Sequence, residues 1–103
     1  MAVNGGGQLM ATWTFLTNHG AVLVVLARHG SLTTRRIAEI LGRTERLIHR
    51  ILTELEAEGY LSKQRVGRVN QYQLHLDQPL QRSVVEDVTV REMLQGFGVR
   101  TRT

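Results

Sequence analysis

Between Thr34 and Gly59 the chain carries two apolar stripes of helical period separated by a single glycine, and directly after Gly59 the period falls to two. The first stripe, Ile37, Ala38, Ile40 and Leu41, predicts a compact helix over Arg35–Leu41 with Thr34 as its N-cap. Gly42 ends it, because glycine tolerates the left-handed backbone of a tight turn. Thr44 reads as a second N-cap, and Leu47, Ile48, Ile51, Leu52 and Leu55 then recur at spacings of three and four. Ala38 is small where the first helix must pass near the second, and Ile48 is the branched wedge that meets it. Each residue type is demanded by the geometry of two helices packed through a short turn.

The flanks complete the arrangement. Upstream, a helix is expected from about Thr12 or Asn18 to Arg28, with Trp13, Leu16, Leu23, Leu26 and Ala27 apolar and His29-Gly30 ending it. Thr17 or Asn18 is the cap if the helix starts late. Ser31-Leu32-Thr33 has length for only one rung of an edge strand. Downstream, Tyr60–Arg65 and Gln71–Leu76 alternate as strands around turn residues Val66-Gly67-Arg68-Val69-Asn70, a hairpin with a basic tip. Pro79 closes it, since proline cannot donate to a ladder. From Ser83 to Phe97 the pattern is weakly helical, and β-branched Val88-Thr89-Val90 divides it; a short helix around Val90–Gln95 and a loose tail after Gly98 are expected.

Thr34 to Ile51 resembles the helix-turn-helix motif, and Trp13 to Leu76 is similar to the winged helix-turn-helix transcription regulators, a superfamily with MarR-like, ArsR-like and IclR-like groups. The stretch TTRRIAEILGRTERLIHRILTELEAEGYL carries most of the likeness. One residue departs from the pattern: Arg43 stands where many members carry an apolar side chain. The resemblance implies a mainly α, α+β fold with a three-helix core, a two- to three-stranded β-wing and a C-terminal helix. Residues 12–77 would form the DNA-binding domain, 1–11 a flexible start, and 78–103 a C-terminal helix and tail. In this superfamily terminal helices commonly build a two-fold dimer, which here would use Trp13, Phe15, Met93, Leu94 and Phe97.

Subtracting the core stripe from the second helix leaves Glu45, Arg46, His49, Arg50 and Thr53 on its outward side, with Arg43 and Thr44 at the entry. Donors and acceptors in the first two turns suit base edges in the major groove. Glu54, Glu56 and Glu58 gather at the far end, where phosphates would be repelled. This polarity points to a recognition helix over about 44–58, rather than to an evenly solvated surface. Thr34, Arg35 and Arg36 lie where the preceding helix would cross the DNA backbone. Lys63, Arg65 and Arg68 make the wing basic, with no acidic residue between Glu58 and Asp77, so wing residues 63–70 are expected on backbone or in the adjacent minor groove.

Composition supports this reading only through its details. The formal net charge is +4, and Lys63 is the sole lysine among 13 basic residues. Arginine's planar fork suits phosphates and guanine. There is no cysteine, which removes disulfides, thiolate metal sites and cysteine nucleophiles. The four histidines are scattered without metal-ligand spacing, so neither metal nor cofactor is expected. No serine has the context of an activated nucleophile, and an enzyme is not expected. The apolar run Ala21–Ala27 is far shorter than the ~20 residues of a spanning helix and lacks the flanks of a signal peptide; a cytoplasmic protein away from membranes is the expectation. Two functions remain on the sequence: a sequence-specific regulator bound to double-stranded DNA, or a winged helix used as a protein–protein or assembly module. Single-stranded RNA binding lacks an aromatic stacking surface.

Overall fold

Three threonines set the helical framework, each in extended backbone with its hydroxyl accepting an amide three residues ahead. In a computed structural model that describes residues 15–80 and 87–100, Thr17 caps α1 (Asn18–His29), Thr33 caps α2 (Thr34–Leu41) and Thr44 caps α3 (Glu45–Ala57). The three bonds, to Gly20, Arg36 and Leu47, are all 3.1 Å. The first helix therefore takes the later of its two expected starts. The second begins one residue before expectation: Thr33, not Thr34, is its cap, and Thr34 instead lies beside the Tyr72 hydroxyl. The expected involvement of Trp13 falls outside the described residues, as do the flexible start at 1–11 and Ser83 to Val85.

Between α2 and α3, Gly42 adopts φ +66° and turns the chain so that the Arg43 amide reaches the Ala38 carbonyl at 2.9 Å. This left-handed geometry is open to glycine and strained for any residue with a Cβ. The sharp turn lays the stripes against each other. Ile37, Ile48 and Ile51 are fully buried, with Ala38 4% exposed, and α1 covers them with Val22, Leu23, Val25 and Leu26.

The wing has two strands, β1 (Leu61–Val66) and β2 (Val69–Leu74), paired antiparallel from Leu61↔Leu74 to Val66↔Val69. Its turn is tighter than the five residues expected, because Gly67 at φ +64° lets Val66 and Val69 pair directly across Gly67-Arg68. The strands are correspondingly shifted from Tyr60–Arg65 and Gln71–Leu76. Tyr60 spends its amide on the Leu55 carbonyl, closing α3, while its carbonyl still takes the His75 amide, both at 2.9 Å. No third strand forms at Ser31-Leu32-Thr33. Ser31 supplies a side-chain substitute: its Oγ accepts the Tyr72 amide at 2.8 Å, meeting the donor that a third strand would have met.

Past the wing, the chain doubles back through a bridge between Pro79 and Thr89. Leu80 and Val90 amides bond the Val88 and Gln78 carbonyls, and Arg91 bonds that of Leu76, at 2.8–2.9 Å. α4 (Val90–Gly96) follows, opened by a capping box in which Thr89 and Glu92 satisfy each other's amides. Val90, Leu94 and Val99 are buried in the same core as the three-helix unit. Arg28 at the end of α1 donates to the Phe97 carbonyl at 3.1 Å. The result is a winged helix-turn-helix of α+β class.

Ile48→Ala should cost about 2–5 kcal/mol in urea unfolding, as removal of a fully enclosed side chain leaves a cavity. Tyr60 gives a second check. Burial first, then the Glu58 carboxylate, raises its pKa above 10.0, and its hydroxyl donates to the Pro79 carbonyl at 3.0 Å. The neutral phenol is favoured by folding, so this stabilisation is intact below pH 10 and is lost as pH rises through the raised folded-state value. Tyrosinate absorbance should show both phenols, Tyr60 and Tyr72, titrating late, and Tyr60→Phe should remove one of the two late components.

Candidate nucleic-acid interface

Because Ile48, Ile51, Leu52 and Leu55 hold α3 in the core, the opposite side of the helix is presented to solvent. Thr44, Arg46, Leu47, His49, Arg50 and Thr53 line one open cleft there. All but Leu47 are exposed. Glu45 lies exposed in the first turn, where a carboxylate complements the helix dipole. Thr53 donates its hydroxyl to the His49 carbonyl at 3.0 Å, so its oxygen remains as an acceptor.

Arg46 and Arg50 differ in their surroundings. No carboxylate among the described residues holds Arg46, whereas Arg50 Nε lies 3.9 Å from Glu54, one turn on. Glu54 is itself shared: its Oε1 is 2.7 Å from His19 Nε2 on α1. Arg50 keeps 67% of its side chain exposed, and so long an exposed ion pair is weak enough to yield to a better partner. Arg43 lies outside the cleft lined by Arg46 and adjoins it through Leu47 and Arg50. Its Nε donates to Asn18 Oδ1 at 3.2 Å, and it lines a separate cleft with Asn18, His19 and Arg50.

On α2, Arg35 and Arg36 are 79% and 61% exposed and share Glu39, at 3.8 and 3.1 Å. Thr34 is half-buried. Lys63, Arg65 and Arg68 are exposed on the wing, and Arg65 Nε donates to the Gly67 carbonyl at 3.3 Å across the turn. The strand period puts Lys63 and Arg65 on the ribbon face that carries Leu61, Tyr72 and Leu74. Tyr72 orients that face. Its pKa is raised by burial, lowered by hydrogen bonds from Asn70 and Thr34, and raised by the charge of Glu56. Leu61, Tyr72 and Leu74 pack the base of that face against the core, and Ser31, just ahead of α2, accepts the Tyr72 amide.

Asn18, His19, Glu39 and Glu54 are the partners that sequence reasoning missed. The pairs Arg35–Glu39 and Arg50–Glu54 stand at i, i+4, a spacing visible in the sequence. His19–Glu54 and Arg43–Asn18 span 35 and 25 residues and had no local signal. Among the described residues, no three His, Asp or Glu side chains group to hold a metal, and no helix is long and apolar enough to cross a membrane.

The profile of the MarR family matches residues 14–69, from just before α1 to the start of β2. The chain belongs to the MarR family. MarR proteins are winged-helix transcription regulators rather than enzymes, and DNA binding is the activity that membership implies. This MarR-family chain is also 33% identical over 63 residues to an uncharacterized protein of Methanocaldococcus jannaschii. That match takes in 60% of the chain but spans only 13% of the relative's length. No solved structure is significantly similar.

Thr44→Ala should lower the unfolding free energy by about 1 kcal/mol, since it strips the cap from α3, and Thr44→Asp should restore most of the loss. Glu39→Gln, which touches only exposed pairs, should change it by no more than about 0.5 kcal/mol. Denaturant titration of the three variants checks both.

Proposed function

We propose that the chain is a sequence-specific, double-stranded DNA-binding transcriptional regulator that lays α3 in the major groove. The observation that carries this reading is the solvent-facing cleft of Thr44, Arg46, His49, Arg50 and Thr53 on a helix whose other side is locked in the core. Arg46, His49 and Arg50 read base edges, with Thr53 as an acceptor and Arg43, Thr44 and Glu45 at the point of entry. Thr34, Arg35, Arg36, Lys63, Arg65 and Arg68 serve the backbone, and the wing tip reaches it or the neighbouring minor groove. Residues 12–77 are the DNA-binding unit.

The proposal extends to a cytoplasmic homodimer joined through the N- and C-terminal elements. Phe15 is 92% exposed and Phe97 45% exposed, apolar rings that a second copy would cover. A two-fold pair would set its recognition helices about 34 Å apart and select an inverted repeat.

Selection from random duplex DNA at near-physiological salt should recover such a repeat. Arg50→Ala should then relax preference at one base position at a cost of about 1–3 kcal/mol. Arg68→Ala should weaken all duplexes alike and reduce the salt slope by about one. Equal losses on selected and random DNA for both variants would contradict the division of roles, and no recovered consensus would favour an assembly module instead. Light scattering at micromolar concentration should give the mass of a dimer; a monomer would contradict the pairing.

A further inference from the structure

Arg91, on the first turn of α4, uses only part of its guanidinium. Nη2 lies 3.2 Å from Asp77 Oδ1, while Nη1 is buried with no hydrogen-bond partner, the one such side-chain atom among the described residues. The arginine side chain is 23% exposed and the aspartate 90%. A largely buried cation is therefore held by one carboxylate that stands in water, and an unpaired donor beside it is costly. Arginine's planar fork matches an oxyanion on two nitrogens at once, and half of that capacity is unfilled.

The surroundings supply further donors. Arg91 lines an open cleft of about 480 Å³ with Ser62, Gln73, His75, Asp77 and Gln78. Ser62 Oγ and His75 Nε2 are 2.6 Å apart. Whichever tautomer the neutral imidazole adopts, this pair shares one hydrogen and retains one more N–H or O–H to donate elsewhere. Gln73 adds carboxamide N–H groups. Against these donors stands a single carboxylate, Asp77, and its exposed bond to Arg91 is readily exchanged. None of these residues belongs to α3 or to the cleft on its outward face.

We propose that this cleft, at the base of the wing, binds a small oxyanion, phosphate or carboxylate, which displaces Asp77; the guanidinium, released from that carboxylate, turns its unpaired Nη1 out of the interior so that both terminal nitrogens meet the anion. Ser62 and Gln73 lie on the two wing strands and His75 just beyond them, so the anion would bridge the wing to α4. The site stands apart from the DNA-binding reading, and its test contains no DNA.

Calorimetric titration with inorganic phosphate and, separately, with acetate, each at constant ionic strength against chloride, checks the proposal. At least one of the two should bind saturably, and which one does so distinguishes a phosphate ligand from a carboxylate. Arg91→Met should abolish saturation. Asp77→Asn lies on the exposed rim, keeps the fold, and should tighten binding by about threefold or more, because the competing charge is removed. An arginine whose role was only to hold Asp77 would give no saturation in any variant. Saturation by neither anion, or weaker binding in Asp77→Asn, would overturn the proposal.

Discussion

The packing of Ile48 and Ile51 against Ile37 and Ala38, across the turn at Gly42, is the constraint on which the rest depends. It fixes α3 about its own axis. With the branched side chains sealed at 0% exposure, the helix has no freedom to rotate, and the side bearing Arg46, His49, Arg50 and Thr53 must face outward. Interiors packed this tightly transmit position rather than absorb it, so a polar outward surface inherits its rigidity from an apolar one.

The same core positions the other charged elements. Leu61 carries β1 directly off the end of α3, and β2 returns beside the residues that lead into α2, with Tyr72 packed on the core. The wing is thus tied at its base to both helices of the motif, while its basic tip stays in solvent. Ser31 shows how little is needed to hold it: one hydroxyl replaces the missing strand by accepting the Tyr72 amide. α4 adds Val90 and Leu94 to the interior and ends against Arg28, so the segment after the wing is continuous with the core.

Where a structural decision is local, the sequence announces it. Thr44 before a stripe at three and four, Gly42 after Leu41, and the fall to a period of two after Gly59 each name their own element. Two neighbouring threonines carry equal cap chemistry, and Thr33 takes the role by accepting the Arg36 amide. The wing turn is tighter than its residues suggest, because Val66 and Val69 resemble loop margins until they pair. For the candidate interface, exposure on α3 followed from subtracting the stripe, and Glu54 and Glu39 were within reach of helical spacing. The contacts of His19 with Glu54 and of Arg43 with Asn18 depend on how α1 crosses α3, which no periodicity encodes. The orphaned nitrogen of Arg91 is of the same kind, since it exists only once the wing base and α4 are brought together.

Amide and side-chain NMR shifts on titration with a duplex carrying the selected site test the central claim most directly. Perturbations should concentrate at Arg46, His49, Arg50 and Thr53 and along Lys63 to Arg68, with the buried stripe of α3 unmoved. Perturbations confined to α4, or spread over the molecule without favouring the outward side of α3, would contradict it.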